Sequence, residues 1–471
     1  MDYSTLPIYK NTQVAVIGGG LAGSTAAIAA ARNGAKVLLI ESSGCLGGAA
    51  TSGLVAPLSS STSKSHELKF DGILWEVIEK VKTYAKRFCR ANGYSLTANH
   101  MYKYVLLELL HRSGAEVLFH AFLADVVNKP DGQIDYLVLA TKSGLQRIKA
   151  EVYIDTTGDG DVMGKSVAET IIGSEPGVLG NLADDKGKMQ VDTPFEVKKD
   201  DYVGKLQPAS LMMRMGGVDL ETAKQYMNKK LTYSGLGITK EQFKKWEFCG
   251  TPGFEPDDSE YVPMPQGRVW LMLSVRQNEA IINMSRVINV NACDPESYSN
   301  AEVTAGLQLI AIIDFLQQFI PGFKNAYMIE SSACLGVRES RRLIGDYLLT
   351  GRDVMECKRF EDSVAYGSYI IDIHDPCGKR MAIGGNVKKD YYAIPYRCLV
   401  TSKVPNLGTA GRSISADHVA TSSTRIQGTA MLTGQAIGTA AALAVQAGCT
   451  LPKVDTQKLR ETLKVDGMFI D

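Results

Sequence analysis

Residues 368–374 read Ser-Tyr-Ile-Ile-Asp-Ile-His, an alternation that predicts a strand with Asp372 and His374 on one face. Tyr369, Ile371 and Ile373 fall on the other. A carboxylate two residues from an imidazole can fix its tautomer and raise its basicity, as a proton-transferring pair requires. The same spacing also occurs on ordinary solvent faces. Upstream, residues 337–342 read Val-Arg-Glu-Ser-Arg-Arg, and so many charges are costly to bury unless they meet counter-ions. If this segment is extended, Arg338, Ser340 and Arg342 share a face; if helical, Arg338 meets Arg341 and Arg342. Either arrangement could grip a carboxylate or phosphate bidentately, and the plain alternative is an ion-pair network between domains. The expectation is therefore His374 as acid/base, Asp372 as its orienter and Arg341 or Arg338 as anion clamp. Arg412 and His418 stand behind them as further candidates. His66, His100, His111 and His120 sit in helical or strand context and carry no such signal.

The elements that must position this chemistry begin with residues 13–17, a short apolar run that predicts a buried parallel strand. Gly18-Gly19-Gly20-Leu21-Ala22-Gly23 follows, a GxGxxG pattern at Gly18, Gly20 and Gly23, and it opens an alanine-rich helix stopped by Gly34. A second strand, 36–40, ends on Glu41 with Ser42 beside it. In a dinucleotide site Gly18 permits the tight turn, Gly20 the approach of a pyrophosphate, and Gly23 close helix–strand packing. The N–H groups at Leu21 and Ala22 would face the phosphates. Glu41 is placed to accept from a ribose diol, which favours FAD or NAD over NADP. A lone GxGxxG is weak, but here strand, turn, helix, strand and acid occur in order. Directly after comes a second glycine-rich loop, 44–53, containing Gly47, Gly48, Ala49 and Thr51. A plain NAD unit has no need of it, whereas an extended FAD does; the bland alternative is a surface loop.

These segments resemble the FAD-dependent oxidoreductases of the glutathione-reductase-like or fumarate-reductase-like type. More narrowly, they resemble a bacterial family with GGxATSG, VRESRR and AGRxISA, found here at 47–53, 337–342 and 410–416. The resemblance covers most of the chain. It implies an α/β fold: a Rossmann-like FAD-binding domain, with a parallel sheet and helices, carrying an inserted α+β substrate domain. It places adenine contacts near Leu123 and Ala124. It also places the 156–161 turn, with Thr157, Gly158 and Asp159, on the pyrophosphate side; a calcium loop is the alternative there, but the EF-hand ligand order is missing. Many such flavoproteins have a Gly-Asp pair where this chain has Gly411-Arg412, so the usual ribitol contact is in doubt and Arg412 could turn to pyrophosphate or substrate.

Other elements follow from pattern. Amphipathic or helical stretches are expected at 64–90, 100–113 and 299–319, and strands at 116–119, 136–141, 150–155, 211–215, 269–274 and 281–290. Asp131-Gly132 signals a hairpin. Residues 184–205 read as a polar surface loop or lid. The Ala/Gly-rich stretch 430–446 predicts a helix packed closely on 21–33. Its N-terminus would stabilise negative charge on a reduced flavin, with Gln427, Thr429 and Ala430 near the ring. The division expected is 10–170 and 326–450 for the cofactor domain and 171–325 for the substrate domain.

Composition sets the outer bounds. Lys plus Arg and Asp plus Glu are each 51, so no basic excess supports a nucleic-acid partner. The nine cysteines contain no CxxC pair, which speaks against a metal site and against disulfide-reductase chemistry and suggests a reducing, cytoplasmic setting. Segments 14–40 and 429–446 are apolar but broken by polar residues, so buried helices rather than membrane spans are expected. No second GxGxxG marks an NAD(P)H domain. The reading is an FAD enzyme moving a hydride between a small molecule and flavin N5, its electrons passing to a redox partner, oxygen or a second substrate. Its alternatives are a flavin monooxygenase, a flavin-binding partner subunit without turnover, and an NAD-dependent dehydrogenase.

Overall fold

The computed structural model describes residues 3–55, 58–182, 198, 200–227, 270–376 and 383–471. The loop expected at 184–205 lies largely outside them. A sheet built on β1 (Ile8–Ile17), β2 (Val37–Ile40), β3 (Glu116–Leu118), β4 (Phe122–Asn128), β5 (Ile134–Thr141) and β6 (Gly144–Asp155) runs in the order β3-β2-β1-β6-β5-β4. Val14–Ile17 and all of β2 are buried, as central parallel strands flanked on both faces must be. The long β6 divides its edge. Its first half pairs antiparallel with β5, and Tyr153–Asp155 pair parallel with Leu407–Thr409 of the rear third. β1, β2, β6 and the 407–409 strand are mutually parallel, so all four release the chain at the same end of the sheet. The Gly18 turn, Glu41, the Thr156 turn and Gly411 follow those four exits. Crevices at such carboxyl ends are where open α/β sheets bind ligands.

A helix at Leu21–Arg32, α1, is buried over Leu21–Ala30. Against it lies a second helix from the rear third, Gln427–Ala447. Gly434 and Gly438 face the α1 backbone, and a Cβ at either would run into the carbonyl oxygen of Ala22 or Ala26. The Thr25 hydroxyl donates across the gap to Met431 O at 3.0 Å. Among the described residues this rear helix alone has the length and apolarity to cross a membrane, and 89% of its most apolar window is buried inside the protein.

A second, antiparallel sheet is ordered β11-β8-β10-β9, with β8 at Met213–Gly216, β9 at Trp270–Leu273, β10 at Ala280–Asn283 and β11 at Tyr327–Ser331. Its core is closed by the helix Pro295–Phe319. β11 lies past residue 325, so this sheet extends beyond the insertion boundary read from the sequence. Strands Thr170–Ile172 and Arg341–Leu343 pair with each other and bracket the inserted sheet in the chain. The seven described cysteines are free thiols.

The helix–helix contact yields a test. Gly438→Ala should destabilise the protein by roughly 1–3 kcal/mol through overpacking, read as a lower midpoint in thermal denaturation. A variant as stable as wild type would show that the two backbones can move apart without penalty.

Candidate active site

The first constellation surrounds the four strand exits. Gly18 has φ +100°, a left-handed turn that passes tight against Thr156. Gly20 has open space where its side chain would be. The α1 N-terminus has neither a side-chain cap nor an acid in its first turn, leaving its partial positive charge for an external anion. Glu41 accepts from Gly19 N at 2.6 Å through one oxygen, and from Ser43 N at 2.7 Å and Ser42 Oγ at 3.2 Å through the other. The second glycine-rich loop hooks onto the first: Gly47 N donates to Gly19 O at 2.8 Å. A short helical turn, Gly48–Ala50, follows, and the Thr51 hydroxyl closes the loop by donating to Leu46 O at 2.9 Å.

Buried Asp155 organises the next turn by accepting from Thr157, Val162 N and Met163 N. Above it, Arg412 pairs with Asp159 at 2.9 Å and lies against Gly158, while its other terminal nitrogen, Nη1, is buried without a partner. The rear helix likewise starts with no side-chain cap and no acid in its first turn. Gln427 donates to Val55 O at 2.9 Å, and its Oε1 is buried without a partner. Thr429 Oγ1 donates to Ser60 Oγ at 3.3 Å, and Ala430 N to Ile426 O. Leu123 and Ala124 stand on edge strand β4, close in sequence to Ala121, whose N–H donates to Glu41 O.

The second constellation gathers around Asp372 and His374. Asp372 Oδ2 lies 3.3 Å from His374 Nε2, and Arg286 Nη2 lies 2.7 Å from His374 Nδ1. A guanidinium can only donate, so Nδ1 must be the accepting nitrogen and Nε2 carries the proton towards Asp372. Arg425 donates to both Asp372 O and Oδ2, at 3.2 and 3.3 Å. Gln207 Oε1 accepts from His374 N. Arg338 donates to Pro208 O at 2.6 Å and Ser210 Oγ at 2.9 Å. Burial and the neighbouring Arg286 and Arg425 lower its pKa to about 9.

The proton-transfer expectation for His374 needs correcting. Asp372 does orient the imidazole, but basicity moves the other way: burial, then Arg338, push its pKa down to about 3, outweighing Asp372. Its lone pair is already engaged by Arg286. The arginine expectation divides as well. Residues 336–340 form no regular strand, so period two is lost before Arg341–Leu343, and no single anion site results. Arg338 alone joins His374. Arg341 donates to Asp159 O and Gly160 O at 3.3 and 2.9 Å, at the turn that follows β6. Arg342 is fully buried among Glu175, Glu339 and the Ala416 carbonyl, the ion-pair network foreseen as the plain alternative. His418 is enclosed in that network, 2.9 Å from Glu339.

Three members of the His374 cluster escaped the sequence reading. Arg286 was a lone arginine in an apolar run, which is a usable signal. It is held in place by helix 295–319, where Gln308 exchanges two hydrogen bonds with its backbone. Arg425 stood two residues before the rear helix, and Gln207 gave no signal.

The chain belongs to the FAD dependent oxidoreductase family, which matches it over residues 13–463. Its cofactor is FAD and it is an oxidoreductase. None of the curated proteins compared matches the sequence. Similar solved structures include a geranylgeranyl bacteriochlorophyll reductase-like protein from Thermoplasma acidophilum (15% identity, 97% of this chain and 84% of that one, TM-score 0.45). A myxobacterial chondrochloren halogenase is similar at 12% identity, over 97% and 78% of the two chains, with TM-score 0.44. The p-nitrophenol 4-monooxygenase of Pseudomonas putida DLL-E4 follows at 11%, 93%, 82% and 0.43.

The histidine geometry has a measurable consequence. Unfolded His374 protonates near pH 6.5, whereas the native imidazole stays neutral well below that. The unfolded state therefore binds more protons, and this residue costs stability as the pH falls below about 6.5. Carbon-13 NMR of the histidine Cε1 signals, assigned with His374→Gln, should show His374 neutral down to pH 5 and titrating at higher pH in Arg286→Gln. A wild-type signal titrating between pH 6 and 7 would overturn the assignment.

Proposed function

We propose that this oxidoreductase moves a hydride between a carbon of a small substrate and N5 of its flavin, with the substrate seated at Arg338, Asp372, His374 and Arg425. The observation that carries this reading is adjacency. Arg425, which binds Asp372, precedes by two residues the N-terminus of the rear helix, which has no side-chain cap, and Gln427 ties that terminus to Val55, just past the glycine-rich loop. When bound, FAD supplies the two-electron chemistry; the residues around it supply position and field.

The N–H groups from Gly20 to Ala22 and the guanidinium of Arg412 suit the pyrophosphate. Glu41, steadied by Ser42 and Ser43, suits the ribose, and Leu123 and Ala124 the adenine side. Backbone at Gly47, Gly48, Ala49 and Thr51, and the turns at Thr157–Asp159 and Gly411, would flank the middle of the cofactor. Gln427 to Ala430 would meet the ring, where a helix N-terminus favours negative charge. The orphaned Arg412 Nη1 and Gln427 Oε1 fit a bound polar group, since a buried unsatisfied polar atom costs about 1–3 kcal/mol.

At the substrate seat, Asp372 holds Arg425 and the His374 tautomer, and His374 in turn holds Arg286. With FAD bound, the group would supply a two-electron sink for a hydride, the substrate's proton would pass to solvent, and a second substrate, a redox protein or dioxygen would take the electrons. The free thiols fit a reducing compartment.

The purified chain should carry a flavin absorbance band. Under anaerobic conditions a panel of metabolites should include one that bleaches it. Arg338→Gln and Asp372→Asn should slow that bleaching roughly a hundredfold, the loss expected from misplacing a substrate, with FAD content unchanged. A flavin that only dithionite reduces, or variants that bleach at the wild-type rate, would refute the reading.

A further inference from the structure

Resting on that seat for the substrate, we infer that the substrate is a carboxylic acid, bound through its carboxylate by Arg338 and Arg425 with the side-chain amide of Gln207 as a third donor. The three come from separate segments and meet around Asp372 and His374.

Donors exceed acceptors there. Arg338 makes its hydrogen bonds to a carbonyl and a hydroxyl, and among the described residues no carboxylate lies within ion-pair distance of it. Arg286 and Arg425 add positive charge beside it. The nearby carboxylate, Asp372, is already engaged by His374 and Arg425. His374 is neutral by the tautomer argument and adds no charge to offset.

Two buried donors lack partners. Gln207 is 1% exposed, and because its Oε1 faces the His374 N–H, its amide nitrogen Nε2 is the group left over. Arg425 spends Nη2 on Asp372, and its Nε is buried without a partner. Orphaned donors of this kind call for an acceptor rather than another N–H or O–H. An ammonium or a hydroxyl donor would find Asp372 taken and cationic guanidinium groups facing it.

The planar guanidinium fork matches a carboxylate. In the reductive direction a carboxylate also suits the seat, because when held by cations it withdraws electron density through a conjugated double bond and favours hydride arrival at the β-carbon.

The test uses the flavin-loaded chain with crotonate, its uncharged isostere crotonamide, and inorganic phosphate, followed by calorimetry and by the flavin difference spectrum. Crotonate should bind saturably and perturb the flavin band, with crotonamide at least about tenfold weaker, the discrimination a charge-assisted hydrogen bond gives; phosphate, which a guanidinium fork also accepts, tests for a general anion site and should bind more weakly than crotonate. Arg425→Gln and Gln207→Glu should each weaken crotonate by about tenfold or more. Gln207→Glu keeps the acceptor for His374 N and replaces the free donor with a carboxylate oxygen that competes with crotonate for the guanidinium groups. FAD per chain and thermal midpoint show whether each variant is folded; Arg338→Lys, which keeps the charge and loses the fork, serves if either is not. Crotonamide or phosphate binding as tightly as crotonate, or folded variants binding it like wild type, would overturn the inference. A colourless wild-type chain would instead refute the flavin reading, and the calorimetric comparison of the three probes would still decide the carboxylate question.

Discussion

The approach of two helix backbones is the constraint on which the site depends. Helix 21–32 and helix 427–447 touch closely enough that glycine is needed at 434 and 438, and a threonine hydroxyl bridges them. Both helices begin without side-chain caps and without acids in their first turns. Because they are locked side by side, their positive ends are held at fixed separation beside the exits of four parallel strands. An extended dinucleotide needs such an arrangement: one positive helix end for its phosphates and another for its ring, on a frame that does not flex between them. The contact is made of backbone and small side chains, so little rotamer freedom is lost in making it.

Local patterns made much of this frame legible. The apolar run at 14–17, the glycine turn and Glu41 each have a local physical cause, and the small residues of 430–446 foretold close packing against 21–33. Pattern failed where side chains reached across space. The strand read at 281–290 ends at Asn283, because Ser285 turns its hydroxyl onto Leu211 and Arg286 turns towards His374. Helix 295–319 begins four residues before the reading of 299, capped by Asp294, which accepts from Ser297 N, with Pro295 in the first turn. That signal was present in the sequence and outweighed by the apolar periodicity that starts later. The reading of 150–155 misses the start of β6 because residues 144–151, with Arg147, Lys149 and Glu151, are mostly exposed or half-buried and carry no continuous apolar run.

The candidate site was harder for the same reason. Asp372 and His374 do come together, although the strand read at 368–374 spans only Ile371–Ile373, but the field around them comes from Arg338 and Arg286, which are distant in the chain. Spacing can place two residues together; it cannot say which third residue will set their protonation. The arginines of 338–342 make the point in five residues. One enters the His374 cluster, one braces the turn at Asp159, and one is buried in a network with Glu175, Glu339 and Ala416. A single short segment therefore touches the turn at Asp159, the His374 cluster and the interior at once.

The pairing of Leu407–Thr409 with the second half of β6 has a consequence for how the protein is made. On a ribosome, β1, β2 and β6 emerge first and can form a sheet, but the outer half of β6 keeps an open edge until more than 250 further residues are synthesised. Gly411 and the rear helix arrive with that last strand. The frame shared by the front and rear of the chain therefore stays incomplete in a nascent polypeptide until that last strand has emerged and the exposed edge of β6 is covered.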